Sequence, residues 1–391
     1  MSDEPMTNRT ISLLNQLVAL PSVNPVYDPT SAGEIHVARF IERWADNLGL
    51  CVEQQAVFEG RHNVIVRIVV GENLPTLLFE SHMDTVSIVE GTRGGFAPTI
   101  DDGNMYGRGT CDTKGSMAAM MTAIERLLPR RSELACNVEF LAAVDEETSG
   151  GGARFYAVNA RNIDAAVVGE PTSNRVVNRH KGVVRGEITV TGRAAHTSIA
   201  HEGVNAIDGM ADVIVALREV SSRLGSTLEG GSLTVSVING GTGINIVPEQ
   251  CSILYDRRIV PGESRDDVLA EIDVALDAVR NQRSDVTITR PEPRLSSPPL
   301  DTHADSPILR AAIEAATRAS LDSDPVMVPY GSDASRFSGE AGIDSVVFGP
   351  GSIDVAHGAD EHVPLAELEA ATNFYEALAL TFGKENPPPN S

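Results

Sequence analysis

Residues 76–85 read TLLFESHMDT, a mostly apolar run that gives way to a histidine and an aspartate. Three other stretches share its character: NVIVRIVV at 63–70, CNVEFLAAV at 136–144 and DAAVVGE at 164–170. Apolar runs of this length without alternation predict strands buried on both faces. Helical patterns lie around them. EIHVARFIERWADNLGL at 34–50 places Ile35, Ala38, Ile41, Ala45 and Leu48 at helical spacing and stops at Gly49. SMAAMMTAIERLL at 116–128 and GGARFYAVNA at 151–160 are further helical stretches. This alternation predicts the α/β class, with a central mixed sheet covered by helices.

Near Arg185 the pattern changes. GEITVTG at 186–192 predicts a strand, 203–224 a helix, 232–240 and 250–259 strands, 264–282 a helix and 285–290 a strand. The order β-α-β-β-α-β is that of a ferredoxin-like α+β unit. PEPRLSSPPL at 291–300 reads as a linker, after which SPILRAAIEAATRAS at 306–320 and DSVVFGPGS at 344–352 return to α/β character. The expected organisation is a discontinuous domain, 1–182 and 291–391, interrupted by an inserted domain at 183–290.

The 391 residues suffice for two domains, and a net charge of −23 argues against a nucleic-acid partner. Four scattered cysteines (Cys51, Cys111, Cys136, Cys251) form no CxxC pair and fit a reducing compartment. Cys111 reads as a buried, unreactive thiol. The opening MSDEPMTNRT lacks an apolar signal core, and no segment is long and apolar enough to span a membrane, so a cytoplasmic location is expected. The closing KENPPPNS reads as a solvated tail.

Chemistry-bearing residues gather where the apolar runs end. His82, the pair Glu146-Glu147 and Glu170 each stand where a strand run gives way to polar or glycine-rich sequence. Open α/β sheets assemble their sites beyond the carboxyl ends of strands, so these side chains are expected to converge. Asp112, in GRGTCDTKG, and a histidine from GPGSIDVAHGADEH, either His357 or His362, complete a mixed oxygen and imidazole set. Such a set suits two divalent ions, Zn²⁺, Co²⁺ or Mn²⁺, which can polarise a carbonyl and activate a water. Adjacent glutamates diverge, so one can bind metal while the other acts as general base. Asp84, two residues from His82, can accept the second ring N–H of a metal-bound histidine.

Together the segments SHMDT, MYGRGTCDTKGSMAA, DEETSGGGAR, GEPTS, HKGVVRGEITVTGRAAHTS, GINIVP, DRRIVPGE, YGSDASRF and GPGSIDVAHGADEH resemble, in order, the M20 metallopeptidase family. That group holds acetylornithine deacetylases, succinyl-diaminopimelate desuccinylases, aminoacylases and carboxypeptidase G-type enzymes. The resemblance implies that His82, Asp112 and Glu170 hold one metal and that Asp112, Glu147 and His357 hold the second, with Asp112 bridging. It selects His357 over His362, makes Glu146 the general base and makes Asp84 the partner of His82. It further implies that the inserted domain is a lid and dimerisation domain, with the dimer contact around residues 204–240. His196 would stabilise the oxyanion across that interface, and Asn245 and Arg258 would hold substrate, together with Gly331 and Ser332 of the YGSDASRF segment. Two zinc ions, a homodimer and a small N-acyl amino acid substrate are the expected cofactors and partners. Dipeptide or carboxypeptidase cleavage and desuccinylation are the alternatives. A non-catalytic relative would lack a ligand or the base, and none is missing.

Overall fold

The structure, a computed structural model, describes residues 7–160, 162–225 and 227–384, with side chains from Arg9 onward. The first six residues and positions 385–391 of the expected tail lie outside the described residues. The chain divides into two compact units. One comprises the chain through Arg179, Asp301–Met327 and the part from Ser332 onward; the other comprises His180–Leu300 and Val328–Gly331.

In the first unit the strands run in the order Cys51–Phe58, Arg61–Ile68, Asn137–Ala143, Thr76–His82, Ala165–Val168 and Ser345–Val347. The first two pairings are antiparallel. Thr76–His82 is parallel to both its neighbours, and Ser345–Val347 continues the parallel set. The sheet is therefore mixed. Its mostly apolar strands are the interior ones: Thr76–His82 and Asn137–Ala143 are buried at every position after the first, and Ala165–Val168 throughout. Cys51–Phe58, at the edge, alternates and is largely exposed.

Four parallel strands end at one edge of this sheet, and the chain leaves them into the segments that carry His82, Glu146-Glu147, Glu170 and His357. The helices Thr7–Val18, Lys114–Leu127, Pro307–Arg318 and Leu365–Thr381 pack on one another, and their apolar residues share a core with the strands. Helix Ile35–Asn47 packs against Arg61–Ile68 through Val37, Ala38, Ile41, Trp44 and Ala45. It ends as its sequence requires. Gly49 has φ +68°, a left-handed conformation that costs glycine little, and the N–H groups of Leu48 and Gly49 turn back to Ala45 and Asp46 carbonyls.

The second unit contains an antiparallel sheet in the order Ser232–Gly240, Gln250–Ile259, Gly182–Thr191, Thr287–Thr289. Helices Ala206–Arg223 and Arg265–Gln282 pack on each other and on this sheet. Met210, Val213, Leu217 and Val220 of the first meet Val268, Ile272, Leu276 and Val279 of the second over Ile188, Val190, Ile253 and Tyr255. Gln250–Ile259 alternates buried and half-buried residues, as a sheet with one packed face requires. The helix expected from residue 203 begins at Ala206, because the Asn205 side chain caps it by accepting from the N–H groups of Ile207 and Asp208. Helix Arg265–Gln282 opens on a Ser264/Asp267 capping box.

The bounds differ from the sequence reading, since the second unit runs His180–Leu300 and takes in Val328–Gly331 in place of the expected 183–290, and so does one local structure. Within 291–300, expected as a linker, Leu295–Ser297 forms a strand paired with Val183–Arg185. Three residues are too few to show a period, and the partner that orders them lies more than a hundred positions away.

Candidate metal centre

His82 is the last residue of its strand, and it is almost fully buried. Its Nε2 lies 3.0 Å from Asp112 Oδ1. The other carboxylate oxygen, Asp112 Oδ2, lies 3.1 Å from His357 Nε2, which also stands 3.1 Å from Glu147 Oε2. Asp112 thus faces one histidine with each oxygen. Two groups result, His82–Asp112–Glu170 and Asp112–Glu147–His357, and within each the candidate ligand atoms all lie within 4.8 Å of one another.

Backbone construction explains the convergence. Glu170 follows the Ala165–Val168 strand after a single glycine, and Gly169 hydrogen-bonds back to Glu80 on the neighbouring strand. Glu146 and Glu147 leave the Asn137–Ala143 strand through Asp145, whose φ is +72°. Their two N–H groups donate to opposite oxygens of Asp84, at 3.1 and 3.2 Å. Asp84 also accepts from Asn24 Nδ2 at 2.7 Å. The His82 ring reaches Asp84 too, with Nδ1 3.0 Å from its backbone oxygen and 3.4 Å from its Oδ1. Asp84 therefore orients the imidazole and the glutamate pair at once.

The electrostatics of the site ask for cations. Burial raises the Glu170 carboxyl well above its ordinary range, and Glu146 and Asp112 add repulsion. Desolvation does the same to Glu146, with His82 opposing and Asp333, Glu147 and Asp112 adding. Glu147 is pushed up to about 6, by burial first and then by Asp112. Burial would lower His82, but its hydrogen bonds to Asp112 and Asp84 carry it well above its usual value. Hydrogen bonds to Asp112 and Glu147 raise His357 to about 10. Glu147 Oε1 is buried with no hydrogen-bond partner among the described residues. Carboxylates gathered away from water are stable only when paired or coordinated, so this donor set fits two divalent ions.

His196, Asn245, Arg258 and Gly331 belong to the second unit. His196 is exposed in the short strand Ala195–His196, opposite Ile246 and beside Asn245, whose carbonyl accepts from Thr197 N–H at 3.0 Å. Arg258 is held by Asp256, with Nε 2.9 Å from Oδ1. Ser332 is a buried residue of the first unit, and its hydroxyl accepts from Ala334 N–H at 3.3 Å. His362 is half-buried and its ring lies tilted against Tyr106, with ring centroids 5.0 Å apart; it belongs to neither ligand group. Cys111 is buried, and burial pushes its thiol well up, which makes it a poor nucleophile.

Several residues around the site escape sequence reasoning. Asn24 bridges Asp84 and Asp145. Arg61 pairs with Glu34 and Asp145. Lys114, of the DTKG motif, is fully buried; its ammonium donates to the Leu17 and Leu20 carbonyls, and burial pushes it down to about 7. Its place in that motif was the signal available.

Known proteins share this fold and chain pattern. The pattern describing peptidase family M20/M25/M40 matches residues 78–381. An acetylornithine deacetylase from Proteus mirabilis is 32% identical over 386 residues, 95% of this chain and 96% of that protein. A probable carboxypeptidase from Aspergillus clavatus is 30% identical over 94% of this chain and 87% of its own length. Among solved structures, aminopeptidase PepT from Bacillus cereus superposes with a TM-score of 0.80 at 21% identity, covering 97% of this chain and 99% of that one. The chain belongs to peptidase family M20/M25/M40 and is a metal-dependent amide hydrolase.

Proposed function

We propose that the protein deacylates an N-acyl amino acid, in the manner of the acetylornithine deacetylases it resembles. The observation that carries this reading is the Asp112 carboxylate, shared between the two ligand groups, with Glu146 adjoining them in sequence. His82, Asp112 and Glu170 would hold one divalent ion, and Asp112, Glu147 and His357 the second, with zinc the leading choice and cobalt or manganese the alternatives. The ions would supply Lewis-acid polarisation of the scissile carbonyl and make water a nucleophile at neutral pH.

The protein's own groups do the rest. Glu146 takes the proton from the attacking water and returns it to the departing amine. Its position next to Glu147, with both N–H groups held by Asp84, keeps the base beside the ligand. His196 would stabilise the oxyanion, and Asn245, Arg258, Gly331 and Ser332 would hold the substrate. In this proposal the second unit acts as lid and as the contact of a homodimer. Supporting the dimer, Ser232–Gly240 is an edge strand with Val237 and Ile238 exposed. A cytoplasmic location belongs to the same reading; among the described residues no helix is long and apolar enough to cross a membrane.

The test is a hydrolysis screen of acetyl-, succinyl- and formyl-amino acids and dipeptides with Zn²⁺, Co²⁺ and Mn²⁺. Preferred turnover of acetylated amino acids is expected. Preferred dipeptide cleavage would install the second reading, which the carboxypeptidase relative favours. Glu146→Gln is expected to lower kcat by about 10²–10⁴-fold while both metals stay bound. A near-normal rate in that variant would remove Glu146 from the role of base.

A further inference from the structure

We infer that Arg108 and Glu361 are positioning residues that lock the segment carrying Asp112 to the segment carrying His357. Both side chains are about 1% exposed, and they stand 253 positions apart in sequence. Glu361 Oε1 accepts from the N–H groups of Gly109 at 2.9 Å, Cys111 at 3.2 Å and Asp112 at 3.2 Å. Gly109, at φ +85°, gives the turn the sense that lets these amides converge. The second oxygen, Oε2, accepts from Arg108 Nη1 at 2.5 Å.

The guanidinium then reaches the other segment. Arg108 Nη2 donates to the carbonyls of His357 at 3.2 Å and Gly358 at 3.3 Å. His357 has φ +62°, a conformation that a non-glycine residue keeps only when its surroundings impose it. The Arg108 bonds act on that residue and the next. One carboxylate therefore organises the backbone of Asp112, and the arginine paired with it organises the backbone of His357. Neither side chain belongs to a ligand group, yet between them they set the separation of Asp112 and His357, two of the three ligands in the second group.

This inference rests on the two-metal reading. Its consequence differs between the two residues: loss of the Arg108 bonds should weaken chiefly the Asp112–Glu147–His357 group, which alone contains His357, whereas loss of the Glu361 charge acts on Asp112, common to both groups, and should weaken both. Glu361→Gln keeps the shape and loses the charge. Arg108→Lys keeps a charge but cannot span both carbonyls and the carboxylate as the planar fork does.

Metal-free wild type and both variants would be titrated with Co²⁺, reading the visible spectrum and the bound equivalents, with circular dichroism as the folding check. In Arg108→Lys one Co²⁺ equivalent is expected to lose about 10–100-fold in affinity, with the other within about threefold of wild type, and in Glu361→Gln both equivalents are expected to weaken. Excess Co²⁺ should restore kcat with little change in KM. Unchanged affinities in the folded variants, or equal weakening of both equivalents in Arg108→Lys, would overturn the positioning role. If Glu361→Gln fails to fold, Arg108→Lys carries the same test. Wild type that binds no cobalt would instead overturn the two-metal reading itself.

Discussion

Replacing Arg61 with leucine should show how the protein holds the segment carrying Glu146 and Glu147 in place. Arg61 opens the strand Arg61–Ile68, and its side chain is 13% exposed. Its Nε and Nη2 contact the two oxygens of Glu34 at 2.8 and 2.5 Å, and Nη1 lies 3.1 Å from Asp145 Oδ1. Glu34 in turn accepts from Asp145 N–H at 3.2 Å, and Asp145 accepts from Asn24 at 3.0 Å and from the Thr148 hydroxyl at 2.8 Å. Asp145 directly precedes Glu146. Arg61→Leu leaves Glu34 and Asp145 buried together without their cation.

Removing one partner of a buried pair costs about 3–5 kcal/mol, and the slight exposure of Arg61 favours the lower end, about 3 kcal/mol. At roughly 2 °C per kcal/mol for a unit of this size, Tm should fall by roughly 6 °C. The sign with pH can be worked out as well. Burial already raises the Glu34 carboxyl while Arg61 pulls it down, so losing Arg61 raises it further. The folded variant then binds a proton more readily than folded wild type, and the stability deficit should shrink as pH falls from 7 towards 5.

Scanning calorimetry of both proteins at several pH values measures all of this. The double variant Arg61→Leu/Glu34→Leu adds a coupling test: with no uncompensated Glu34 charge left, it should be more stable than the sum of the single losses predicts. A fall in Tm below about 2 °C for Arg61→Leu, or strict additivity in the double variant, would refute the reasoning.

Two further outcomes follow from the same geometry. A methyl group at Gly349 would press on the Ser116 hydroxyl and sit 2.5 Å from the Glu170 carbonyl oxygen. Gly349→Ala should therefore cost about 1–3 kcal/mol by chemical denaturation and weaken metal binding at the group containing Glu170. Burial pushes His180 down to about 4, from an ordinary value near 6.5. Its contribution to stability is complete above about pH 6.5 and is lost as pH falls towards 4, because the unfolded chain takes the proton first. The urea-unfolding free energy of wild type minus that of His180→Asn should drop by roughly 2–3 kcal/mol between pH 7 and 4.5; a flat difference would show that His180 is not the group responsible.

Much of the site is legible before any coordinates. Thr76–His82, Asn137–Ala143 and Ala165–Val168 can be read from their mostly apolar character, and His82, Glu146, Glu147 and Glu170 stand visibly at or just beyond their ends. Periodicity carries these readings, and periodicity is a local property of the chain.

The support around the ligands is not legible in this way. In sequence, Arg61, Arg108 and Glu361 are ordinary charged residues, of the kind that usually belong to a solvated face. Nothing in GRGTCD announces that its arginine is buried, or that its amides share a carboxylate 249 positions beyond Asp112. Leu295–Ser297 likewise becomes a strand only because Val183–Arg185 offers an edge to pair with.

The sequence by itself determined which residues could bind metal and which strand ends would bring them near each other, since burial on both faces leaves an apolar run little other choice. Only the tertiary structure decided how those ligands are aimed. A buried charge must find its partner in space, and the chain's path through the fold, rather than its local pattern, determines which partner lies within reach.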